Sequence, residues 1–313
     1  MKKTVWVALA AVVCANISLS VANASSIEDT RKAIFEGVGT CDQAVFTNDQ
    51  YLAVSLLPFV PNVGHVRVYS LKDPSHVTDI STHSRVTDIK IEGDTAYVLT
   101  GWTIEGWSIS SGKQLFQYAS HPQASPGLNL RERAQGFVLS GKRAVIAHGV
   151  LGVTVIDLES GKTIKTLPMP TVSAAQDIAL VNADKAVLAI DNNDERQFRG
   201  MYLMNLRTLG FTKQIKIDNA LPSAVRVLDN DRLMLVYYNA IWKFGKTQAL
   251  AATKEPRPSR RAWQFPGLNV VDMQGKVAFD QKNLYACFKT WDSQTDERDY
   301  KPMAFDLKAL QLD

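Results

Sequence analysis

The sequence predicts an all-β fold, a β-propeller of four-stranded antiparallel blades, with six blades as the first reading and seven as the alternative. Three observations carry this. A short hairpin pattern recurs six times. A second hairpin follows each copy. The copies begin 45, 48, 41, 47 and 52 residues apart, the period of four-stranded propeller units. No long stretch of 3.6-residue periodicity interrupts the strands, which argues against a helical solenoid.

The first hairpins read AVFTNDQYLAVS from Ala44, IKIEGDTAYVLT from Ile89 and FVLSGKRAVIAH from Phe137. They continue with IALVNADKAVLAI from Ile178, VRVLDNDRLMLVY from Val225 and VAFDQKNLYACF from Val277. Their turns are rich in Asn, Asp and Gly, which tolerate hairpin backbone angles. Their flanks are rich in Val, Ile, Leu and aromatics, which pack well on a pleated surface. The clearest second hairpins are IEGWSISSGKQLFQY from Ile104 and VTVIDLESGKTIKTL from Val153. Gly112 and Gly161 stand where a tight turn needs positive φ. A seventh unit has room only in 252–274 or 25–40.

The composition suits such a chain. Of 313 residues, 46% are hydrophobic and 21% charged, which argues against disorder or a coiled coil. The formal charge is +4 and no basic block dominates, so nucleic acid is not an expected partner.

Residues 1–24 read as an export signal. Lys2 and Lys3 precede an apolar run from Val5 to Val13, and Ala22-Asn23-Ala24 supplies a small-residue cleavage site. No later segment is apolar enough to span a bilayer. The expected product is periplasmic or secreted, with residues 41–313 as one propeller domain. The segment 25–40 is expected to close the last blade by strand exchange, because its fourth strand (309–312) looks short.

The pieces AYVLTGWTIEGWSISSGK and AVIAHGVLGVTVIDLESGKTI resemble repeats of secreted bacterial propellers, such as the LVIVD, YVTN and PQQ-like groups. The resemblance covers the scaffold across most of 41–313 and implies the fold rather than an activity. Tyr118 and Leu167 stand where PQQ-like blades usually end in Trp. That departure argues against a quinone cofactor, and none is expected.

Cys41 and Cys287 remain after the signal. They flank the seam between first and last blades, and an oxidising compartment suits a disulfide between them. Two separate reduced thiols are the alternative.

The leading end of each first strand, the connections between blades, and the loops between second and third strands share one face, here the upper face. Candidate binding residues are Gln135 and Gln176 at the channel mouth, and Arg257, Arg260, Arg261, Trp263 and Phe265 on a basic, aromatic connection into the last blade. Arg beside aromatics is over-represented at binding surfaces. Arg131 and Arg133 add charge on a second connection. Four His (His65, His83, His121, His148) map to this face, but no spacing argues for a metal site. The leading expectation is a binding or scaffold propeller that presents its loops to a protein or an envelope polymer. A propeller enzyme of the lactone hydrolase or lyase type, with Asp88 or Asp177 as base, is the main alternative. A quinoprotein or electron-transfer subunit is a third.

Overall fold

A computed structural model of the chain describes residues 26–57, 63–170, 173–191, 200–216, 224–227, 232–237, 240–246, 259–262, 270–291 and 298–308. Its first element is a helix, α1 (Ile27–Glu36). Antiparallel sheets follow in sequence. The first holds β1 (Val45–Thr47), β2 (Tyr51–Leu56), β3 (Gly64–Ser70) and β4 (Val77–Thr82). The second holds β5 (Val86–Glu92), β6 (Thr95–Thr100), β7 (Thr103–Ser108) and β8 (Gln114–Ala119). The third holds β9 (Gly136–Ser140), β10 (Arg143–Ala147), β11 (Val153–Asp157) and β12 (Thr163–Leu167). The fourth holds β13 (Ala174–Asn182), β14 (Lys185–Asp191), β15 (Gly200–Asn205) and β16 (Gly210–Lys216). The fifth holds β17 (Ala224–Val227), β18 (Arg232–Tyr237), β19 (Ala240–Lys246) and β20 (Ser259–Ala262). The last holds β21 (Val270–Phe279), β22 (Asn283–Trp291) and β23 (Arg298–Asp306).

The first strands β1, β5, β9, β13, β17 and β21 each touch the next, and β21 touches β1. That closed circuit of inner strands makes the architecture a β-propeller. The expected blade count is corrected. Five blades have four strands, not six or seven, and the last sheet has three strands among the described residues. Among the described residues of the 252–274 stretch, β20 completes the fifth sheet and β21 begins the last. The expected fourth strand at 309–312 lies outside the described residues.

The sequence periodicity maps onto position in the blade. Middle strands such as β2 and β10 are buried on both faces, and their continuous apolar runs reflect it. Outer strands β8 and β12 are largely exposed. The core therefore lies between neighbouring sheets. One cluster joins sheets one and two around Val66, Ile80, Ile89 and Val98. Another joins sheets three and four around Val145, Val155, Leu188 and Tyr202. Gly112 and Gly161 have φ of 66° and 70° in matching outer turns, as their positions in the repeat require.

The N-terminal segment corrects the strand-exchange expectation. Residues 27–36 form a helix, opened by a reciprocal Ser26–Asp29 capping box. Arg31 and Phe35, four residues apart, are its buried residues. Arg31 ion-pairs with Asp280 in the β21–β22 turn and donates from Nη2 to the Asn48 carbonyl (2.9 Å) in the β1–β2 turn. Phe35 meets Tyr285 edge to face at 5.4 Å. The helix thus bridges the first and last sheets. Beside it the Cys41–Cys287 disulfide joins the same two sheets, with Cα atoms 5.8 Å apart, inside a cluster that includes Phe35, Leu52, Val54 and Tyr285.

Candidate functional site

The inner strands converge on a ring of charge in the central channel. Asp88 and Asp177 are fully buried near the leading ends of β5 and β13. Each reaches the next blade. The Phe137 N–H donates to Asp88 Oδ2 (3.1 Å), and the Val225 N–H donates to Asp177 Oδ2 (2.9 Å). The two carboxylates are equivalent clamps in alternate blades, and they satisfy backbone donors that would otherwise be orphaned. Asp42, also buried, pairs instead with Arg85.

Three cations meet these carboxylates. Lys90 Nζ lies 2.7 and 2.8 Å from the two oxygens of Asp88. Arg226 Nη1 lies 2.6 Å from Asp177 Oδ2. Lys276 Nζ crosses from the last sheet to lie 3.0 Å from Asp177 Oδ1, and it donates to the Gln176 carbonyl (2.9 Å). The Lys276 N–H closes the circuit onto the Gln43 carbonyl (2.6 Å). Burial alone would push the Asp177 carboxyl up, but Lys276, Arg226 and Lys90 hold it below the ordinary carboxylate range. Burial pushes the Lys90 ammonium down, with Arg226 adding to the effect and Asp88 opposing it.

This arrangement suits inter-blade bonding better than base catalysis. A general base needs an accessible lone pair and a pKa near the working pH. Asp177 is buried, ionised and doubly paired, and Asp88 is held by Lys90 and two N–H groups.

Gly136 shows how closely the ring is packed. A Cβ there would stand 2.2 Å from Asp177 Oδ1 and 3.1 Å from Lys276 Nζ. Gly136→Ala is therefore expected to destabilise the protein by about 1–3 kcal/mol through overpacking. Urea unfolding compared with an Ala substitution at Gly141, where a Cβ meets nothing within 4 Å, checks it. The Gly141 variant carries only the cost of its positive φ.

The second cluster is on the upper face. The connection 120–135 is tied down at both ends. Ala134 N–H donates to the Gly101 carbonyl (2.9 Å) and Val150 N–H to the Arg131 carbonyl (2.8 Å). His148 lies buried beneath it. Its Nδ1 is 2.6 Å from the Glu132 carbonyl, which can only accept, so Nδ1 carries hydrogen. Its Nε2 is then free to accept from Ser120 Oγ at 2.9 Å. Ser120 is fully buried too, so this Ser–His pair binds loops rather than substrate. The His121 ring lies 5.2 Å from that of His148.

Burial, and then His121, push His148 down to about 4. The unfolded imidazole titrates near 6.5. Between those values the unfolded chain binds a proton that the folded chain excludes, so stability falls as pH drops from 6.5 to 4. The expected loss is about 3 kcal/mol by the end of that window. Urea midpoints across the range measure it, and His148→Gln should flatten the slope.

On top of this tethered connection, Arg133 sits over the Trp102 ring at 5.9 Å. Arg131 is exposed, and Leu130 is 73% exposed.

The sequence-predicted residues distribute as follows. Gln135 is tied by its amide to the Leu130 carbonyl (3.1 Å), and Gln176 contributes its carbonyl to Lys276. Arg260 and Arg261 are not on a connecting loop. They lie in β20, opposite Trp242 and Ile241, because the fourth strand of this blade comes later than its hairpin suggests. Arg257, Trp263 and Phe265 lie outside the described residues, as do residues 1–24. His121 and His148 come together, while His65 meets Ser81 (3.3 Å) and His83 meets Glu105 (3.6 Å). Among the described residues no group of three metal-ligating side chains occurs. No described helix is long and apolar enough to cross a membrane.

No family model matches the chain, and no curated protein does. Among solved structures, the computationally designed Ika8 protein superposes with a TM-score of 0.52 at 11% identity, over 83% of this chain and 87% of that one. That likeness concerns the fold alone.

Proposed function

We propose that this chain is an exported, non-enzymatic binding propeller of the cell envelope, whose upper loop face receives a protein or an envelope polymer. The observation that carries the reading is the tethered 120–135 connection. It holds an exposed Leu130 beside the Arg133–Trp102 stack and Arg131. Arg and Trp are the residue types that dominate binding energy at interfaces. Tethering lowers the ordering cost of association. The cationic side chains favour an acidic partner surface.

Export rests on the basic, then apolar, then small-residue pattern of residues 1–24. The disulfide and the lack of a described membrane-length helix are compatible with it. The basic stretch around Arg257, Arg260, Arg261, Trp263 and Phe265 stays a secondary candidate. The two arginines in β20 place part of it on the outer edge of a blade.

The test is site-specific photo-crosslinking in cells that express the protein. A photoreactive residue replacing Leu130 should capture a discrete adduct. The same residue at Leu115, 55% exposed on outer strand β8, should not. Equal capture at both positions, or none at Leu130, would overturn the upper-face reading.

A further inference from the structure

The upper face does not account for the other end of the channel. Below the charge ring the inner strands line an open cavity of about 350 Å³, at the lower end of the range for small-molecule sites. Strands from all six sheets line it. Its walls are apolar, including Phe46, Ile91, Leu139, Ile178, Val227 and Phe279. Charge enters at two inner positions, Lys90 and Arg226, and at Glu92, which is exposed to solvent.

The two cations differ in what they have left to give. Lys90 Nζ already has three acceptors, two from Asp88 and the Ile89 carbonyl (3.2 Å). Arg226 spends Nε on the Val277 carbonyl (2.8 Å) and Nη1 on Asp177 and the Val225 carbonyl (both 2.6 Å). Its Nη2 has no partner among the described residues. The side chain is 14% exposed and lines the cavity. A guanidinium carries five N–H donors, so the two on Nη2 remain. The ring itself holds three cations and two carboxylates, Lys90, Arg226 and Lys276 against Asp88 and Asp177.

We propose that this cavity binds an amphipathic monocarboxylate, with its carboxylate on Arg226 Nη2 and its aliphatic tail along the inner-strand walls toward the lower opening. A carboxylate forms charge-assisted hydrogen bonds to guanidinium. A methylene chain gains by leaving water for the apolar walls. Glu92 on the same lining repels anionic groups, so a dianion is disfavoured relative to a monoanion. The site is independent of the loop patch on the upper face, and either proposal stands without the other.

The experiment is calorimetric titration of the full-length protein at pH 7 with decanoate, 1-decanol, decyl phosphate and acetate, each below its aggregation limit. Decanoate should bind at one site per chain. Decanol should bind at least tenfold more weakly, decyl phosphate no more tightly, and acetate undetectably. Arg226→Gln should weaken decanoate at least tenfold and bring it level with decanol. Because Arg226 also pairs with Asp177, a second variant is needed. Val227→Trp fills the lower wall without touching an ion pair, and should abolish binding while leaving the circular dichroism spectrum unchanged. Absence of saturable decanoate binding, equal affinity for decanol, tighter binding of decyl phosphate, or full binding to the folded Val227→Trp protein would each overturn the proposal.

Discussion

Asp177→Asn is expected to cost about 3–5 kcal/mol of folding stability, the usual penalty for removing one partner of a buried ionic cluster. The substitution keeps the size of the side chain and an acceptor for the Val225 N–H. It removes the charge that compensates Lys276 and Arg226. Asp88 would then be the one carboxylate left beside the three cations among the described ion pairs. The native carboxyl is held below its ordinary range, about 3.8 when unfolded. Its contribution is therefore complete above pH 3.8 and is lost as pH falls through the lower, folded value. The variant should lack that acid-side loss. Urea unfolding at pH 7 and across the acid range measures both effects. A cost under about 1 kcal/mol at pH 7 would mean that the ring does not hold the inner strands together.

Removing the disulfide is expected to have an effect of similar size. The bridge spans 246 residues of sequence. Chain-entropy reasoning gives about 5 kcal/mol as an upper figure for such a loop, and removal of a native bridge typically costs 2–5 kcal/mol. Both sulfurs are fully buried in the seam, so substitution also changes packing. The Cys41→Ala/Cys287→Ala double variant should be compared with the parent unfolded and refolded in reductant. Agreement between them assigns the loss to the bond itself. A double variant within about 0.5 kcal/mol of the oxidised parent would show that α1 and its ion pair close the seam unaided.

Much of the fold was legible because propeller strands obey local rules. Every first hairpin read from Asn, Asp and Gly turns has its counterpart among the strand pairs, from Val45 opposite Val54 to Phe279 opposite Leu284. The disulfide followed from cysteine placement and a compartment argument. The α1 helix was legible as well. Ser26 with Asp29 three residues on, and Gly37 after the last turn, are ordinary helix boundary signals. The fourth strand of blade five was not legible, because a long insertion separates β20 from the turn that should precede it.

The charge ring was half visible. Asp88 and Asp177 stood out as polar residues at strand starts. Their partners did not, because Lys90, Arg226 and Lys276 sit inside apolar strand patterns and read as solvent-facing members of an alternation. The missed signal is topological. On an innermost strand the alternate face points to the axis, not to water, so a charge between two β-branched residues there must find a counter-ion. Val225-Arg226-Val227 is such a case. Leu130 and the Arg133–Trp102 contact depend on how a loop folds back, which no periodicity encodes.

The joint formed by α1, the Arg31–Asp280 pair and the Cys41–Cys287 bond sets an order of events on a chain made from its N-terminus. Residues 26–56 acquire their neighbours in the last sheet only once residues 270–306 have emerged. Until then the earliest-made sheet keeps a raw apolar flank, lined by Phe35, Leu52 and Val54. On a product cut short before Asp280, Arg31 lacks its carboxylate and Cys41 its bonding partner.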